Sequence, residues 1–350
     1  MFGLILLGIL GLLPTYIHAQ TFSTEITWVQ RAIVVGVNND ILIYDDHLQF
    51  LGGLYNLAEY GVLEGVRPSP DGKYVAVLIY DATAPNYRTS VQIWNLTQQS
   101  LVHSFHDVRV GSKAYDWSPD GRFFAIHYGS SDFLAGDRRY TLSLYSLETN
   151  SILHSFKTQG NGLSLVWTKG NYLGVFDNDL SVWLVGSLPP YTLTFIGTYP
   201  LVEAYSNDVI VNDIVASSES AQFALASENL VLDTYRIEII DAATLQVIKT
   251  LSVHQSVVRL DWLTNSFLGY FRDSKLAFVD EETGALLSSF NPGQFTSLNS
   301  YAASPDGTKI MVTDEMGIGT IYSSTGEVLH TRDIAADVEA VDLTPIPAPR

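Results

Sequence analysis

Short apolar or alternating runs, rich in β-branched and aromatic residues, follow one another along almost the whole chain and are separated by small polar clusters. That is the patterning of half-buried strands. Seven of the runs end in the same way, on a large apolar or aromatic residue followed in six of the seven by a turn former: Ile43-Tyr44-Asp45, Ile93-Trp94-Asn95, Leu144-Tyr145-Ser146, Val182-Trp183-Leu184, Ile239-Ile240-Asp241, Phe278-Val279-Asp280 and Ile321-Tyr322-Ser323. Their middle residues recur at intervals of 38 to 57 residues, a mean of about 46. This is the period of a four-stranded blade. The expected fold class is all-β: a seven-bladed β-propeller of four-stranded antiparallel blades, the strands running A to D from the hub outward. Such a scaffold hosts many unrelated activities, so its function must be read from a site.

A second motif sets the register. Ser69-Pro70-Asp71-Gly72, Ser118-Pro119-Asp120-Gly121 and Ser304-Pro305-Asp306-Gly307 each precede an apolar strand. Pro presets its backbone angle, Asp can bond its own backbone and Gly accepts a positive φ, so each reads as a hairpin turn between strands A and B. Degenerate versions are expected at Ser217 to Ser220, Thr168 to Gly170 and Thr264-Asn265.

With an inner strand, this turn, an apolar strand and a strand ending on Trp94-Asn95 or on Asp241 and Asp280, the chain resembles the WD40-like β-propellers over nearly everything after residue 20. His254 stands where that family often carries a Gly-His histidine. There is no Gly-His dipeptide, and the fourth and fifth units are irregular. The resemblance implies a fold and no particular partner. Eight segments qualify as strand A, two of them terminal: Glu25 to Val29 and Val338 to Pro345. Either could complete the first blade.

Residues 1–19 hold no charged side chain, and Phe2 to Leu13 is an apolar run of 12, too short to cross a bilayer as a helix. With Pro14 after it and Ile17-His18-Ala19 before Gln20, the segment is expected to be a signal peptide, although the lack of a basic flank leaves room for a short uncleaved anchor. The domain expectation is therefore a signal at 1–19, a single propeller over 20–345 and a tail at 346–350, in an exported protein. No cysteine is present, which removes disulfides, thiolate metal sites and a Cys nucleophile. The net charge of −18 disfavours nucleic acid and anionic lipid, which are bound through Lys and Arg. A monomer without membrane insertion after signal removal is expected.

No nucleophile elbow, zinc-protease helix, phosphate loop or EF-hand is present. His103, His154 and His330 share one position of the outermost strand, with Lys249 and Ser288 in two others, as alternating outer strands require of any polar residue. Acidic clusters at Asn39-Asp40, Asp45-Asp46, Asp177 to Asp179 and Asp314-Glu315 suit tight turns, and Asn95-Leu96-Thr97 matches a glycosylation acceptor at a structural position. No catalytic residue, metal or cofactor is assigned.

Two B–C loops are longer than the rest, Asp81 to Arg88 in the second blade and Gly129 to Arg139 in the third. They carry Tyr87, Arg88, Phe133, Arg138 and Arg139, residue types that anchor interfaces, on neighbouring blades of an acidic body. The expected function is a non-enzymatic scaffold that binds a protein or cell-surface ligand through this face. The alternative is an enzyme or enzyme-associated propeller of the lactonase, quinoprotein or peptidase-associated kind, with a site at the central channel. That would need convergent His, Asp, Glu or Asn residues from several blades, and the sequence displays no such set.

Overall fold

The computed structural model describes residues 24–334, leaving aside residues 30–31, 38–39, 56, 58–61, 82–87, 111–113, 131–138, 160–163, 177–178, 201–208, 265, 272–274, 293–300, 305 and 315. The expected signal segment at 1–19, Val338 to Pro345 and the expected tail at 346–350 lie outside the described residues.

Twenty-eight strands follow one another as antiparallel meanders of four. Blade one is β1 (Thr24–Val29), β2 (Ala32–Val37), β3 (Asp40–Asp45) and β4 (Phe50–Leu54); blade two is β5 (Val62–Pro68), β6 (Tyr74–Asp81), β7 (Arg88–Asn95) and β8 (Ser100–Arg109). Blade three is β9 (Tyr115–Trp117), β10 (Phe123–Ser130), β11 (Arg139–Ser146) and β12 (Ser151–Gln159); blade four is β13 (Ser164–Trp167), β14 (Tyr172–Phe176), β15 (Leu180–Val185) and β16 (Leu193–Tyr199). Blade five is β17 (Val209–Ala216), β18 (Gln222–Asn229), β19 (Thr234–Asp241) and β20 (Val247–Val253); blade six is β21 (Val257–Trp262), β22 (Ser266–Phe271), β23 (Leu276–Asp280) and β24 (Leu286–Phe290). Blade seven is β25 (Tyr301–Ala303), β26 (Lys309–Thr313), β27 (Ile318–Ser323) and β28 (Val328–Asp333).

The hydrogen-bonded sheets number six, five of four strands and one of eight, because blades two and three are joined into one sheet by pairing of β8 with β10. The first strands of successive quartets lie against one another around the hub, β1 touching both β5 and β25. The fold is a β-propeller. Blade five, irregular in sequence, is a regular quartet of strands seven and eight residues long. Of the two terminal candidates for the first inner strand, the N-terminal one holds the place: Thr24 pairs with Val37 and Val29 with Ala32.

The core explains the apolar runs. Each second strand sends alternate residues to opposite faces, and both faces are covered by neighbouring blades, so Val75, Val77 and Ile79 pack toward blade one while Ala76 and Leu78 pack toward blade three. Seven apolar clusters result, each shared by two adjacent blades, the last uniting Val35, Leu42, Tyr44 and Leu48 of blade one with Ala302, Met311, Ile321 and Ile334 at blade seven.

The seven repeated triads are the ends of the seven third strands, and each is the site of a β-bulge. In every blade the register against the outermost strand shifts between the first and second triad residues. In six of the seven, all but Leu184, the side chain of the third residue then caps the C–D turn. Asp45 Oδ1 accepts the His47 and Gln49 N–H groups at 2.9 and 2.8 Å, Asn95 Oδ1 accepts that of Gln98 at 2.8 Å, and Asp241 and Asp280 each bond the N–H groups two and three residues on. A bulge on an outer strand twists the edge away from further pairing, which is how an exposed edge is kept from recruiting another chain.

The three Ser-Pro-Asp-Gly turns are superposable in their bonds. Ser69, Ser118 and Ser304 are buried; each hydroxyl donates to the Asp two residues on at 2.6 to 2.7 Å and accepts the N–H five residues on at 2.9 to 3.0 Å. Gly72, Gly121 and Gly307 sit at φ of 68°, 69° and 69°, where a side chain is strained. The Ser304 hydroxyl holds Asp306 below the usual carboxylate range.

Candidate functional site

The antiparallel order places the B–C loops, the D–A connections and the start of every inner strand on one face of the disc, called here the loop face. The A–B and C–D turns occupy the other. On the loop face, Tyr87, Phe133 and Arg138 lie outside the described residues, and Arg88 and Arg139 fall in strands rather than in loops. Asp81 pairs with Arg88 and Gly129 with Tyr140, so strand pairing takes up the ends of both predicted loops, and residues 82–87 and 131–138 lie outside the described residues.

What lies beneath them is unusual for the molecule. Asp81 pairs with Arg88, Thr89 with Val108, Val108 with Ser130, Gly129 with Tyr140 and Arg139 with Gln159, so one ladder runs through six strands of two blades at the root of both loops. The Thr89 hydroxyl also donates to the Val108 carbonyl. Strands β6, β7, β10 and β11 have eight residues each, against five or six in the middle strands of blades one, four, six and seven. Strands β18 and β19 of blade five are as long without such a joint; what reaches β10 is the end of β8, ten residues long, through Val108 and Arg109. His127, buried on the opposite, blade-four flank of this sheet with Phe123 and Ala125, has Nε2 bonded to the Thr158 hydroxyl and no partner for Nδ1; burial pushes its pKa down to about 4.

A second candidate is a cavity of about 400 Å³ in the central channel, with Arg67, Asp116, Trp167, Arg259, Asp261 and Ser218 in its wall. The sequence displayed no convergent polar set, yet the inner strands bring one together. Arg67, Asp116 and Asp261 each stand two residues before the first residue of an A–B turn (Ser69, Ser118 and Leu263), which is the signal that would have found them. Their bonds are mostly spent on the fold. The Asp116 carboxylate accepts the Trp117 N–H at 2.9 Å and the Trp167 N–H of the next blade, and burial raises its pKa to about 6 against the opposing charge of Arg67. Asp213 does the same two joints further on, accepting its neighbour Ile214 N–H and the Leu260 N–H of blade six, both at 2.9 Å. These carboxylates cover N–H groups on the free edge of an inner strand, which would otherwise face the channel unpaired. Arg259 lies 4.4 Å over the Tyr301 ring and 3.7 Å from Asp261. No nucleophile with an adjacent base is assembled there from the described residues.

The outer histidines are clasps between blades. His103 stacks on Tyr145 of the next blade at 4.4 Å, His154 Nε2 donates to the Tyr191 carbonyl at 2.7 Å, and His330 Nε2 stands 3.0 Å from His47 Nδ1. Lys249 pairs with Glu282 and the Ser288 hydroxyl donates to the Ser324 carbonyl at 2.8 Å, from the same position of their own blades. In blade four the position is Gly197, where a Cβ would come within 2.8 Å of Leu245 of blade five. His254 stacks on Phe271, 4.8 Å between ring centres. Among the described residues no group of three or more His, Asp and Glu side chains is arranged to hold a metal. Of the acidic turns, Asp46 accepts Lys309 at 2.8 Å and Asp314 accepts the Met316 and Ile318 N–H groups at 2.9 Å, while Asn39, Asp177, Asn178 and Glu315 lie outside the described residues.

No family model matches the chain. Among solved structures it is similar to the hydrazine synthase of Kuenenia stuttgartiensis, with a TM-score of 0.59, 11% identity, and coverage of 91% of this chain and 100% of that one. At that identity the likeness is one of fold alone: a β-propeller with four-stranded antiparallel blades.

Proposed function

We propose that this chain is an exported, non-enzymatic, WD40-like propeller that binds a protein or cell-surface ligand through the loop face at blades two and three. The observation that supports the reading is the six-stranded ladder beneath the two loops. Recognition loops work when a rigid scaffold fixes their ends, and this pair of loops is rooted in the joined sheet. The Ser-Pro-Asp-Gly turns and the bulged third-strand ends support the WD40-like assignment. Changing Tyr87, Arg88, Phe133, Arg138 and Arg139 together to Ala or Ser is expected to abolish retention of a captured partner at unchanged melting temperature. Equal retention, with loss caused instead by changes among the A–B turns, would move the site to the opposite face.

The enzymatic alternative would act in the channel cavity, where Asp116 titrates near neutrality. Asp116→Asn is its test. A turnover lost in that variant at unchanged melting temperature would overturn the scaffold reading.

A further inference from the structure

The residue two places before each A–B turn holds the same station on its inner strand. In blades two to seven these are Arg67, Asp116, Val166, Val215, Asp261 and Ala302, counted back from Ser69, Ser118, Thr168, Ser217, Leu263 and Ser304, and all six stand in the wall of the channel cavity. They form one level of the ring, and charge is not spread evenly round it. Blades two and three contribute Arg67 and Asp116, blade six contributes Asp261 with Arg259 two residues before it, and blades four, five and seven contribute aliphatics. With seven blades in the ring, blade six stands opposite the joint of blades two and three. The cavity therefore has two charged walls that face each other between apolar flanks.

The two walls differ in what they leave unspent. Asp116 is committed to the Trp117 and Trp167 N–H groups. The Arg67 guanidinium has five donors, and among the described residues it makes one hydrogen bond, a 3.3 Å contact with the Val66 carbonyl. On the opposite wall Arg259 is occupied by the Tyr301 ring and by Asp261 at 3.7 Å. The Asp261 carboxylate accepts no hydrogen bond from the described residues: its Oδ2 is buried without a partner, and the side chain is 30% exposed, toward the cavity it lines. No ion pair joins Arg67 to Asp261. A cation with unused donors thus faces an anion with unused acceptors, and half-buried charges of this kind are costly unless something pairs them.

These walls select a ligand by its chemistry. It carries an anionic group at one end and a cationic donor at the other. It is neutral overall, because the two arginines and two aspartates of the wall cancel and a chain of net charge −18 repels a free anion but not a dipolar ion. Its body is apolar enough to lie against Val166 and Val215. A single α-amino acid holds both charges on one carbon and cannot serve opposite walls, whereas a dipeptide carries them at its two ends. The cavity, about 400 Å³, falls within the range of small-ligand pockets, about 300 to 1,000 Å³.

We propose that the channel cavity binds a dipeptide-sized zwitterion with apolar side chains, its carboxylate on Arg67 and its ammonium on Asp261. The level adjoins the A–B turns, so this site lies at the end of the channel away from the loop face. It does not depend on the partner site at blades two and three, and it requires no turnover.

The test is calorimetric titration of the full chain with L-leucyl-L-leucine, with its N-acetyl form, which lacks the ammonium, and with its C-terminal amide, which lacks the carboxylate. The zwitterion should bind, and each blocked form should bind roughly tenfold or more weakly, as expected when one charge-assisted contact is lost. Arg67→Gln should weaken the zwitterion and the N-acetyl form while leaving the amide as in wild type. Asp261→Asn should weaken the zwitterion and the amide while leaving the N-acetyl form unchanged. If a variant melts lower than wild type, the ranking of the three ligands on the wild-type chain decides alone. No binding of the zwitterion, equal affinity for all three ligands, or a variant of unchanged melting temperature that weakens all three alike overturns the proposal.

Discussion

Two joints of the ring are closed by different means. Between blades two and three, β8 pairs with β10, Trp117 Nε1 donates to the Arg67 carbonyl at 2.7 Å, and one apolar cluster from Ala76 to Tyr145 fills the interface. Between blades seven and one no described strand pairing crosses. An apolar cluster is again present, but the polar ties are side chains: Lys309 to Asp46 at 2.8 Å, Arg332 to the Leu48 carbonyl at 3.2 Å with its guanidinium 5.8 Å from the Tyr44 ring, and His47 against His330. Backbone pairing fixes one joint by geometry that any side chain would permit. The other is held by a few named side chains, and single substitutions can loosen it.

The largest test of that contrast is in the two clusters. Phe124, fully buried and 4.9 Å from the Trp117 ring, should cost about 3 to 5 kcal/mol when replaced by Ala, and Ile321 at the other joint about 2 to 5 kcal/mol, both read by denaturant unfolding. The discriminating result lies in mode: the Ile321 variant should show early loss of blade-one and blade-seven amide protection, whereas the Phe124 variant should unfold in one step. Early, separate opening of blades two and three instead would reverse the ranking.

A smaller effect compares the same turn on either side. Gly121→Val and Gly307→Val each force a β-branched residue to φ of 69°, a cost of roughly 1 to 3 kcal/mol. A Cβ at 121 meets nothing nearer than 3.7 Å, while one at 307 stands 3.1 Å from Leu263 of blade six, so Gly307→Val should be the more harmful. Equal melting temperatures for both variants and wild type would show that the turns do not hold this backbone in solution.

Acid sets the seam against a buried group on the blade-four flank of the joined sheet. His127 is neutral in the fold because burial lowers its pKa from 6.5 to about 4. Over that window the unfolded chain binds the proton first, so stability should fall as pH drops from 6.5 to about 4, by about 3 kcal/mol, and level off below. His127→Gln should flatten this segment of the curve. At the seam, the hydrogen bond and charge of Lys309 hold Asp46 below its ordinary 3.8, so that contribution is complete above 3.8 and disappears only at lower pH. It is also the smallest effect: Lys309→Ala should cost less than about 1 kcal/mol, since the pair is partly exposed to solvent. A Lys309→Ala loss equal to that of Ile321→Ala would mean that the seam is mainly ionic.

Features enforced within a single hairpin were legible in the sequence. The triads recur because each must supply a bulge and six of the seven a turn cap within three residues, and the Ser-Pro-Asp-Gly turns because their bonds close within five. Long-range features left no such mark. The meeting of Val108 and Arg109 with Ser130 and Gly129 has no local signature, and a lone Asp116 or Arg67 in a strand reads as an ordinary exposed charge until its distance from the turn is counted. Strand A of blade one was ambiguous because both ends of the chain carry the same short apolar pattern. The outer histidines looked like solvent-facing positions, and they are, but the solvent side of one blade is the flank of the next.

Among the described strands, blade one is made from the beginning of the series and blade seven from its end, with none shared between them. Under mechanical load this matters. Tension applied between Thr24 and Asp333 acts on an innermost strand at one end and an outermost strand at the other. At the rim, β28 can be unzipped from β27 one hydrogen bond at a time, and each removed strand exposes the next as a new edge. A ring closed by a strand borrowed from the other end would resist by shearing a whole ladder at once. This propeller is therefore expected to yield to pulling at low force, blade by blade from seven downward, until the joined sheet of blades two and three halts the sequence.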